Sequence, residues 1–337
     1  MKDIVILGIE TSCDETSAAV VIGGGFIASN IIYSQIDIHR PHGGVVPEIA
    51  SRDHVKKIDQ VVQKALDEAG VKLGDITAVA ATYGPGLVGA LLVGLNFAKA
   101  LAFAADKPFI GVNHIEGHIA SAYLENKGFA PPFVALVVSG GHSHLVHVKD
   151  YKDFEVLGGT HDDAPGEAFD KVARVLGLPY PGGVEIDRLA KQGNPAAIAF
   201  PRAWLGDTLD FSFSGVKSSV LNHLNAAKMK NEPINSADIA ASFQEAVTEV
   251  LTKKAITACQ TTGCKSLAVV GGVACNTRLR QLLTKACTQE GIRLHIPPPS
   301  LCTDNAAMIA AAAHHNLTTK NLSPLSLNAA PSLSLKS

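Results

Sequence analysis

Two histidines four residues apart, in the run His114-Ile115-Glu116-Gly117-His118, lie on one face of a helix about one turn apart. Both imidazoles can then reach a single metal ion, which takes its ligands at about 2 Å. A pair of satisfied structural histidines would show the same spacing. The run is not the metalloprotease pattern H-E-x-x-H. Glu116 stands two residues after His114, a rotation of roughly 200° on a helix, so it points away from the histidine face. The general base of that chemistry is missing. A third ligand has to come from elsewhere in the chain, and a carboxylate suits the role.

Three turns bearing glycines or small hydroxyls could meet a nucleotide. Val138-Ser139-Gly140-Gly141-His142 follows an apolar run and fits a phosphate cradle, because glycines let backbone N–H groups approach phosphate oxygens. Val269-Val270-Gly271-Gly272-Val273, ahead of Asn276, fits a surface on which an adenine lies flat. The third, at the N-terminal end, is Thr11-Ser12-Cys13-Asp14-Glu15. Its adjacent carboxylates Asp14 and Glu15 could orient a metal, a lysine or a nucleophile, or simply form a solvated acidic turn. Gly84-Pro85-Gly86-Leu87-Val88-Gly89 is formally G-x-G-x-x-G. The next strand, Phe109–Val112, lacks the acidic end residue that would bind a ribose, so turn glycines are the better reading.

These turns need strands to present them. Ile4–Ile9 and Ser17–Ile22 read as a hairpin with the acidic turn at its tip. Phe133–Val138 and Leu145–Val148 read as a second hairpin of the same plan, which suggests two related lobes. Ile76–Thr82, Phe109–Val112 and Leu267–Val270 read as further strands. Helices are expected over His54–Gly70, from Leu87 to about Ala104, from His114 with Asn113 as cap, from Pro165 to Gly177, over Val184–Gln192, Ser236–Thr262 and Asn276–Glu290, and from Asp304 to His315. Ala90, Gly94 and Ala98 form a small-residue stripe suited either to internal packing or to a partner protein. The chain after Asn316 reads as irregular. Hairpin, hairpin and strand-Gly-Gly-helix in that order describe an ATP-binding α/β protein of two lobes, as in actin, Hsp70 chaperones and sugar kinases.

The bulk numbers agree with a folded enzyme. The chain has 337 residues, 47% hydrophobic and 18% charged, with 30 glycines, which excludes a disordered or coiled-coil protein. Its formal charge of -2 gives no general affinity for nucleic acid. The six cysteines form no C-x-x-C pair, which fits reduced thiols in the cytosol. Leu87–Ala105 is apolar but carries Asn96 and Lys99, so a buried helix is expected rather than a membrane span.

The motifs together resemble the TsaD family, also called Gcp. The resemblance runs from Gly8-Ile9-Glu10-Thr11-Ser12-Cys13-Asp14-Glu15-Thr16 through His42-Gly43-Gly44-Val45-Val46-Pro47-Glu48, the Gly84–Leu91 run and the histidine pair to Val138–His142. It continues through Gly166–Lys171, Tyr180–Gly183, Phe211–Gly215, Gly271-Gly272-Val273 with Asn276, and Cys302-Thr303-Asp304-Asn305. It implies an actin-like ATPase (ribonuclease H-like) fold and a metal-dependent acyltransferase of the cytoplasm. That enzyme would move threonylcarbamoyl from L-threonylcarbamoyl-adenylate to N6 of the adenosine 3′ of the anticodon (position 37) in tRNAs reading codons that begin with A, releasing AMP. The resemblance places metal ligands on His114, His118 and Asp304, with iron as Fe2+ the expected ion and zinc the alternative. It places the substrate loop on Val137, Val138, Ser139, Gly140 and Gly141, and ribose and adenine contacts on Asp170, Gly183, Asp187 and Asn276. The nucleotide would be threonylcarbamoyl-AMP or ATP. Asp14 and Glu15 become the family's acidic pair. Expected partners are tRNA, a smaller TsaB-like paralogue and a TsaE-like ATPase, with no membrane. The lobes are expected at 1–113, joined by a returning helix from 304–337, and at 114–303. A metalloprotease, a non-catalytic nucleotide-binding scaffold and a sugar kinase are the rival readings. The misplaced glutamate, the presence of the histidine pair, and a His-His-Asp site useless to a kinase weigh against them in turn.

Overall fold

The computed structural model describes residues 3–124, 126 and 128–335. The outermost positions of the expected lobes, 1, 2, 336 and 337, lie outside the described residues. Two compact units are present, Met1–Pro131 with Asp150–Phe154 and Ser300–Ser337, and Pro132–Lys149 with Glu155–Pro299.

The first unit opens with β1 (Val5–Glu10), β2 (Glu15–Ile22) and β3 (Phe26–Ser34), continues through α1 (Ile36–His39), α2 (Pro47–Ala69), β4 (Ala78–Gly84), α3 (Val88–Ala104) and β5 (Phe109–Asn113), and reaches α4 (His114–Ala120). Its sheet has the order β3-β2-β1-β4-β5. β1 runs antiparallel to β2 and parallel to β4. Alternation along the strands sends side chains to opposite faces. Ile6, Ala19, Val21, Ala78, Ala80, Ile110 and Val112 enter one core cluster. Leu7, Ile9, Ala18, Val20, Val79, Ala81 and Phe109 enter another, with Ile58, Val61, Val62 and Ala65 of α2.

The second unit carries β6 (Phe133–Val138), β7 (Ser143–Asp150), β8 (Asp153–Gly159), α5 (Pro165–Val175), α6 (Gly182–Ala190), α7 (Ser214–Lys230), α8 (Ser236–Thr262), β9 (Ser266–Val270), α9 (Thr277–Glu290) and β10 (Arg293–His295). Its sheet order is β10-β9-β6-β7-β8. Numbered from its own first strand this is the order of the first unit, with β6 antiparallel to β7 and parallel to β9. The two hairpins read from sequence are therefore the first two strands of a repeated five-stranded plan, and the architecture is the two-lobed α/β fold of actin-like ATPases.

The chain then returns to the first unit through α10 (Pro299–Cys302) and α11 (Ala306–Thr318). Ala306, Ala307 and Ala310–Ala313 of α11 are all buried. Small side chains let this helix lie close on the sheet. A Cβ on Gly8 of β1 would stand 2.4 Å from the Ala306 carbonyl.

Several expectations need correction. α4 belongs to the first unit, not to a lobe beginning at residue 114. The reason is Gly117, where a Cβ would stand 2.7 Å from Ile309 Cδ1, so α4 beds directly onto α11. α2 begins at Pro47, seven residues ahead of His54, with Pro47 in its first turn. α11 begins at Ala306, capped by Asn305, which leaves Asp304 outside the helix. The strands Phe26–Ser34, Asp153–Gly159 and Arg293–His295 and the helix Ser214–Lys230 are not announced by the sequence. The stripe Ala90, Gly94 and Ala98 is buried within the first unit and is not a partner surface. Thr11 Oγ1 accepts the Gly94 N–H at 3.1 Å and donates to the Ala90 carbonyl at 2.8 Å. Among the described residues no helix is long and apolar enough to cross a membrane.

Candidate active site

Asn113 closes β5 and opens α4, its side-chain oxygen accepting the N–H groups of Ile115 and Glu116. That cap fixes where the helix starts, and His114 and His118 then fall one turn apart. Their rings meet edge to face with centroids 4.6 Å apart. Asp304, just ahead of the Asn305 cap of α11, brings its Oδ1 to 3.5 Å from His114 Nε2 and 3.2 Å from His118 Nε2. Ligands about 2.1 Å from one ion, at angles of roughly 90–110°, stand about 3.0–3.4 Å apart. The spacing therefore matches three donors aimed at a common point.

The donor atoms of His114, His118 and Asp304 all lie within 4.8 Å of one another, and this trio could hold a metal ion. Both ring nitrogens of His118 are buried without a hydrogen-bond partner among the described residues. Its 3.2 Å approach to Asp304 lacks hydrogen-bond alignment. An unsatisfied buried nitrogen is costly, and a cation would relieve it.

A residue missed from sequence completes the cluster. Glu10 ends β1 with no exposed surface. Its Oε2 lies 3.1 Å from His114 Nδ1 and accepts the Thr82 hydroxyl at 2.6 Å, while its Oε1 accepts the Ser12 N–H. With Nδ1–H given to Glu10, His114 is left with Nε2 toward Asp304, the carboxylate–histidine arrangement that orients metal ligands. In the sequence Glu10 is only an acid at the end of an apolar strand, which reads as the start of a polar turn. Burial opposes the imidazolium of His114, but Asp304 and Glu10 outweigh it and raise the ring to about 9. Burial holds His118 below the ordinary imidazole range. Burial likewise opposes ionisation of Glu10, and His114 overcomes it, holding the carboxyl low. Two carboxylates facing two imidazoles call for positive charge, which a divalent cation supplies.

Glu116 faces elsewhere. It pairs with Lys152 at 2.5 Å and accepts from Asn316 at 3.3 Å, as the 200° rotation requires.

The turn after β1 carries the acidic pair. Asp14 is buried, and Glu15 opens β2 with the Ser34 hydroxyl at 3.0 Å. Burial raises Glu15 well above the usual carboxylate range, reinforced by Asp14 and Asp304. The turn is braced from α3's side by the Leu87 N–H, which reaches the Ser12 carbonyl at 2.8 Å. Gly86 sits there because a Cβ would stand 2.6 Å from that same carbonyl. Its loop is structural, as the G-x-G-x-x-G reading expected.

In the second unit Val137 and Val138 are fully buried on β6, so they offer only backbone. Ser139 gives its N–H to the His142 carbonyl at 2.9 Å. Gly166 N–H donates to the Ser139 carbonyl at 3.2 Å and Glu167 N–H to the Gly140 carbonyl at 3.1 Å, docking the loop on the start of α5. The N–H groups of Gly140 and Gly141 have no protein acceptor among the described residues, and a Cβ on either would enter open space. Asp170 Oδ1 accepts the Gly182 N–H at 2.7 Å, next to Gly183. Asp187 Oδ1 accepts the N–H and hydroxyl of Thr277, at 3.1 and 2.8 Å. Asn276 caps α9 through Leu279 and donates to Gln244 at 2.8 Å. These bonds join α5, α6 and α9 into one wall. At Gly183 an added Cβ would meet only Phe169 Cβ, at 4.0 Å, and at Gly272 nothing within 4 Å.

Comparison with known proteins agrees with these motifs. The family model described as TsaD, tRNA N6-adenosine threonylcarbamoyltransferase, matches residues 26–311. The chain is 60% identical over 336 residues to the tRNA N6-adenosine threonylcarbamoyltransferase of Clostridium perfringens (strain 13 / Type A), covering 99% of both. It is 59% identical over 336 residues to the protein of that name in Clostridium beijerinckii, again covering 99% of both. Among solved structures, component A of the (R)-2-hydroxyglutaryl-CoA dehydratase of Acidaminococcus fermentans aligns with a TM-score of 0.57 at 16% identity, over 94% of this chain and 99% of that one. HypF of T. kodakarensis aligns with a TM-score of 0.64 at 13% identity, over 95% of this chain and 48% of that one. At such identities the likeness is one of fold. The sequence relatives say more: the chain belongs to the TsaD family of tRNA N6-adenosine threonylcarbamoyltransferases.

Proposed function

We propose that this chain transfers the threonylcarbamoyl group of L-threonylcarbamoyl-adenylate to N6 of the adenosine 3′ of the anticodon in tRNAs reading codons that begin with A, with release of AMP. The observation that carries the reading is the trio of buried His114 and His118 with half-buried Asp304, and Glu10 behind His114. Two imidazoles and one carboxylate suit Fe2+ with open positions, and zinc equally by donor type. When bound, the ion would act as a Lewis acid on the carbamoyl carbonyl or the adjacent phosphate.

The protein's own groups do the rest. The free N–H groups of Gly140 and Gly141 hold the phosphate that leaves with AMP. The wall of Asp170, Gly183, Asp187 and Asn276 receives the adenosine, with room at Gly183 for a flat ring. N6 releases a proton as it is acylated, and the Asp14–Glu15 pair accepts it. A carboxylate beside the amine suits that role. The target base lies in a single-stranded loop, so presenting it to the chemistry costs little unpairing. A formal charge of -2 leaves much of the tRNA's phosphate backbone to other components. A TsaB-like paralogue and a TsaE-like ATPase are the partners this reading requires, and the cytoplasm is its compartment.

The test is nucleoside mass spectrometry on unmodified tRNA incubated with the chain, those partners and threonylcarbamoyl-adenylate. Threonylcarbamoyladenosine should form, and chelation or His114→Ala should abolish it while the fold persists. Full transfer by a demonstrably metal-free variant would remove the metal from the reaction.

A further inference from the structure

Behind the turn that carries Asp14 and Glu15 runs a chain of buried side chains that the chemistry above does not use. His54 on α2 brings Nε2 to 2.9 Å from the Cys13 carbonyl. Its Nδ1 lies 2.8 Å from Thr16 Oγ1 and 3.3 Å from Gln35 Nε2. Gln35 Nε2 also donates to the Ala50 carbonyl at 3.3 Å, and Gln35 Oε1 lies 3.1 Å from His39 Nε2. His39 Nδ1 lies 3.3 Å from the Val46 N–H. Gln35, His39, His54 and Thr16 have no exposed surface.

The end groups settle every proton in this chain. A backbone N–H only donates, so His39 Nδ1 is an acceptor and its proton sits on Nε2, which donates to Gln35 Oε1. That orients the Gln35 carboxamide, whose NH2 then donates to Ala50 and to His54 Nδ1, an acceptor it shares with the closer Thr16 hydroxyl. A carbonyl only accepts, so the proton of His54 sits on Nε2 and is given to Cys13. Burial keeps both rings in the neutral form this pattern needs. Turning either ring or the carboxamide over would set donor against donor inside a dry core.

The chain thus starts at Val46, the residue ahead of α2, where the His42–Val46 loop ends. It finishes on the carbonyl that precedes Asp14. We infer that Gln35, His39 and His54 are positioning residues that fix the Asp14–Glu15 pair and tie its placement to the 42–46 loop. The inference rests on the reading of that pair as proton acceptor.

The test uses the full chain in the reconstituted transfer reaction, with His54→Ala, His54→Gln and His39→Gln, and with Asp14→Asn and Glu15→Gln as references. Displacement of a reacting group costs up to about 100-fold in rate. His54→Ala should therefore lose about that much kcat at unchanged KM for the adenylate and unchanged metal content. His54→Gln, which returns an N–H near the position of Nε2, should recover part of the loss. In 15N spectra His54 should show a protonated Nε2 and a bare Nδ1. His39→Gln should shift the Nδ1 signal of His54, although residue 39 does not touch it. A folded His54→Ala chain within twofold of the wild-type kcat would overturn the inference. So would losses in both His54 variants that merely follow Tm. If His54→Ala does not fold, the His39→Gln spectrum decides, and an unmoved Nδ1 signal breaks the chain. Wild-type transfer by Asp14→Asn and Glu15→Gln would instead overturn the role of the pair, and the inference with it, whatever the spectra show.

Discussion

Glu10 and His114, 104 positions apart in sequence, meet at 3.1 Å inside the first unit, with the carboxylate fully buried and the ring almost so. The contact decides which nitrogen of His114 faces Asp304. It also ties the candidate metal centre to β1, and through the Ser12 N–H to the turn that carries Asp14 and Glu15. One carboxylate thereby touches both the candidate metal cluster and the acidic turn.

Removing the charge of Glu10 while keeping its shape should loosen the metal. Partners one step behind a ligand change metal affinity by about 10–100-fold. Glu10→Gln should show that loss in competition with a chelator of known affinity. Glu116→Gln, although two residues from each histidine, should leave metal affinity within a few-fold of wild type, because Glu116 is engaged by Lys152 and Asn316. Equal losses in both would mean that the effect is one of general stability.

Gly94 is small because Thr11 occupies its side-chain space. A Cβ there would stand 2.3 Å from Thr11 Oγ1. Gly94→Ala should cost about 1–3 kcal/mol, as overpacked core positions do. Thr11→Ala, which removes the hydroxyl bridging Ala90 and Gly94, should cost about 1 kcal/mol. The double variant should be less destabilised than the sum, with a coupling of roughly 0.5–3 kcal/mol. Urea unfolding of the four proteins measures it, and simple additivity would show that the two residues do not share the space.

In the second unit Asp163 receives Lys171 at 2.8 Å and Lys217 at 2.6 Å. Burial opposes its ionisation, but the two lysines outweigh it and hold the carboxyl below the ordinary aspartate range. A depressed carboxylate stabilises the fold above its unfolded value, about 3.9. That contribution is lost as pH falls through the lower native value. Asp163→Asn should therefore be less stable than wild type at pH 7, by about 1.5–3 kcal/mol for hydrogen bonds to a charged group. The gap should close below about pH 4. A gap constant from pH 7 to pH 3 would point to packing, not charge.

How much of this was legible depends on range. The hairpins and the helix at His114 are local signals: the apolar, β-branched run Ile4–Ile9, an Asn113 cap, and histidines at four-residue spacing. Among the described residues, helices begin at asparagine caps at 113, 235, 276 and 305, each marked by its residue type. The role of Glu10 was not legible, because an acid at a strand end looks like the start of a polar turn until His114 arrives from 104 residues away. The unit to which α4 belongs is set by Gly117 against Ile309, a contact no local pattern announces. Phe26–Ser34 escaped because Ser29 and Asn30 interrupt its apolar run. The helix Ser214–Lys230 buries only the narrow stripe Val216, Val220, Leu224 and Ala227.

The chain after α11 shows the same limit, since its lack of regular structure conceals how firmly it is held. Ser323 Oγ accepts the Gly111 N–H at 2.9 Å, and the Leu327 carbonyl accepts Lys99 Nζ at 3.0 Å. The Ala330 N–H donates to the Tyr83 carbonyl at 2.8 Å, and the Pro331 carbonyl accepts the Gly86 N–H at 3.1 Å. The Ser334 carbonyl accepts Asn113 Nδ2 at 3.1 Å, so the strap ends on the cap of the histidine helix. Leu327 and Ala329 pack against the core cluster that holds α2. Each hydrogen bond contributes about 0.5–1.5 kcal/mol net. Ending the chain at Lys320 should then cost at least about 3 kcal/mol, or roughly 6–12 °C in Tm. Because Asn113 loses a restraint, metal should also leave the truncated chain faster when a chelator is added. An unchanged Tm would mean the strap is held by the fold without supporting it. A lowered Tm with unchanged metal release would separate the strap's hold on the sheet from its hold on the site.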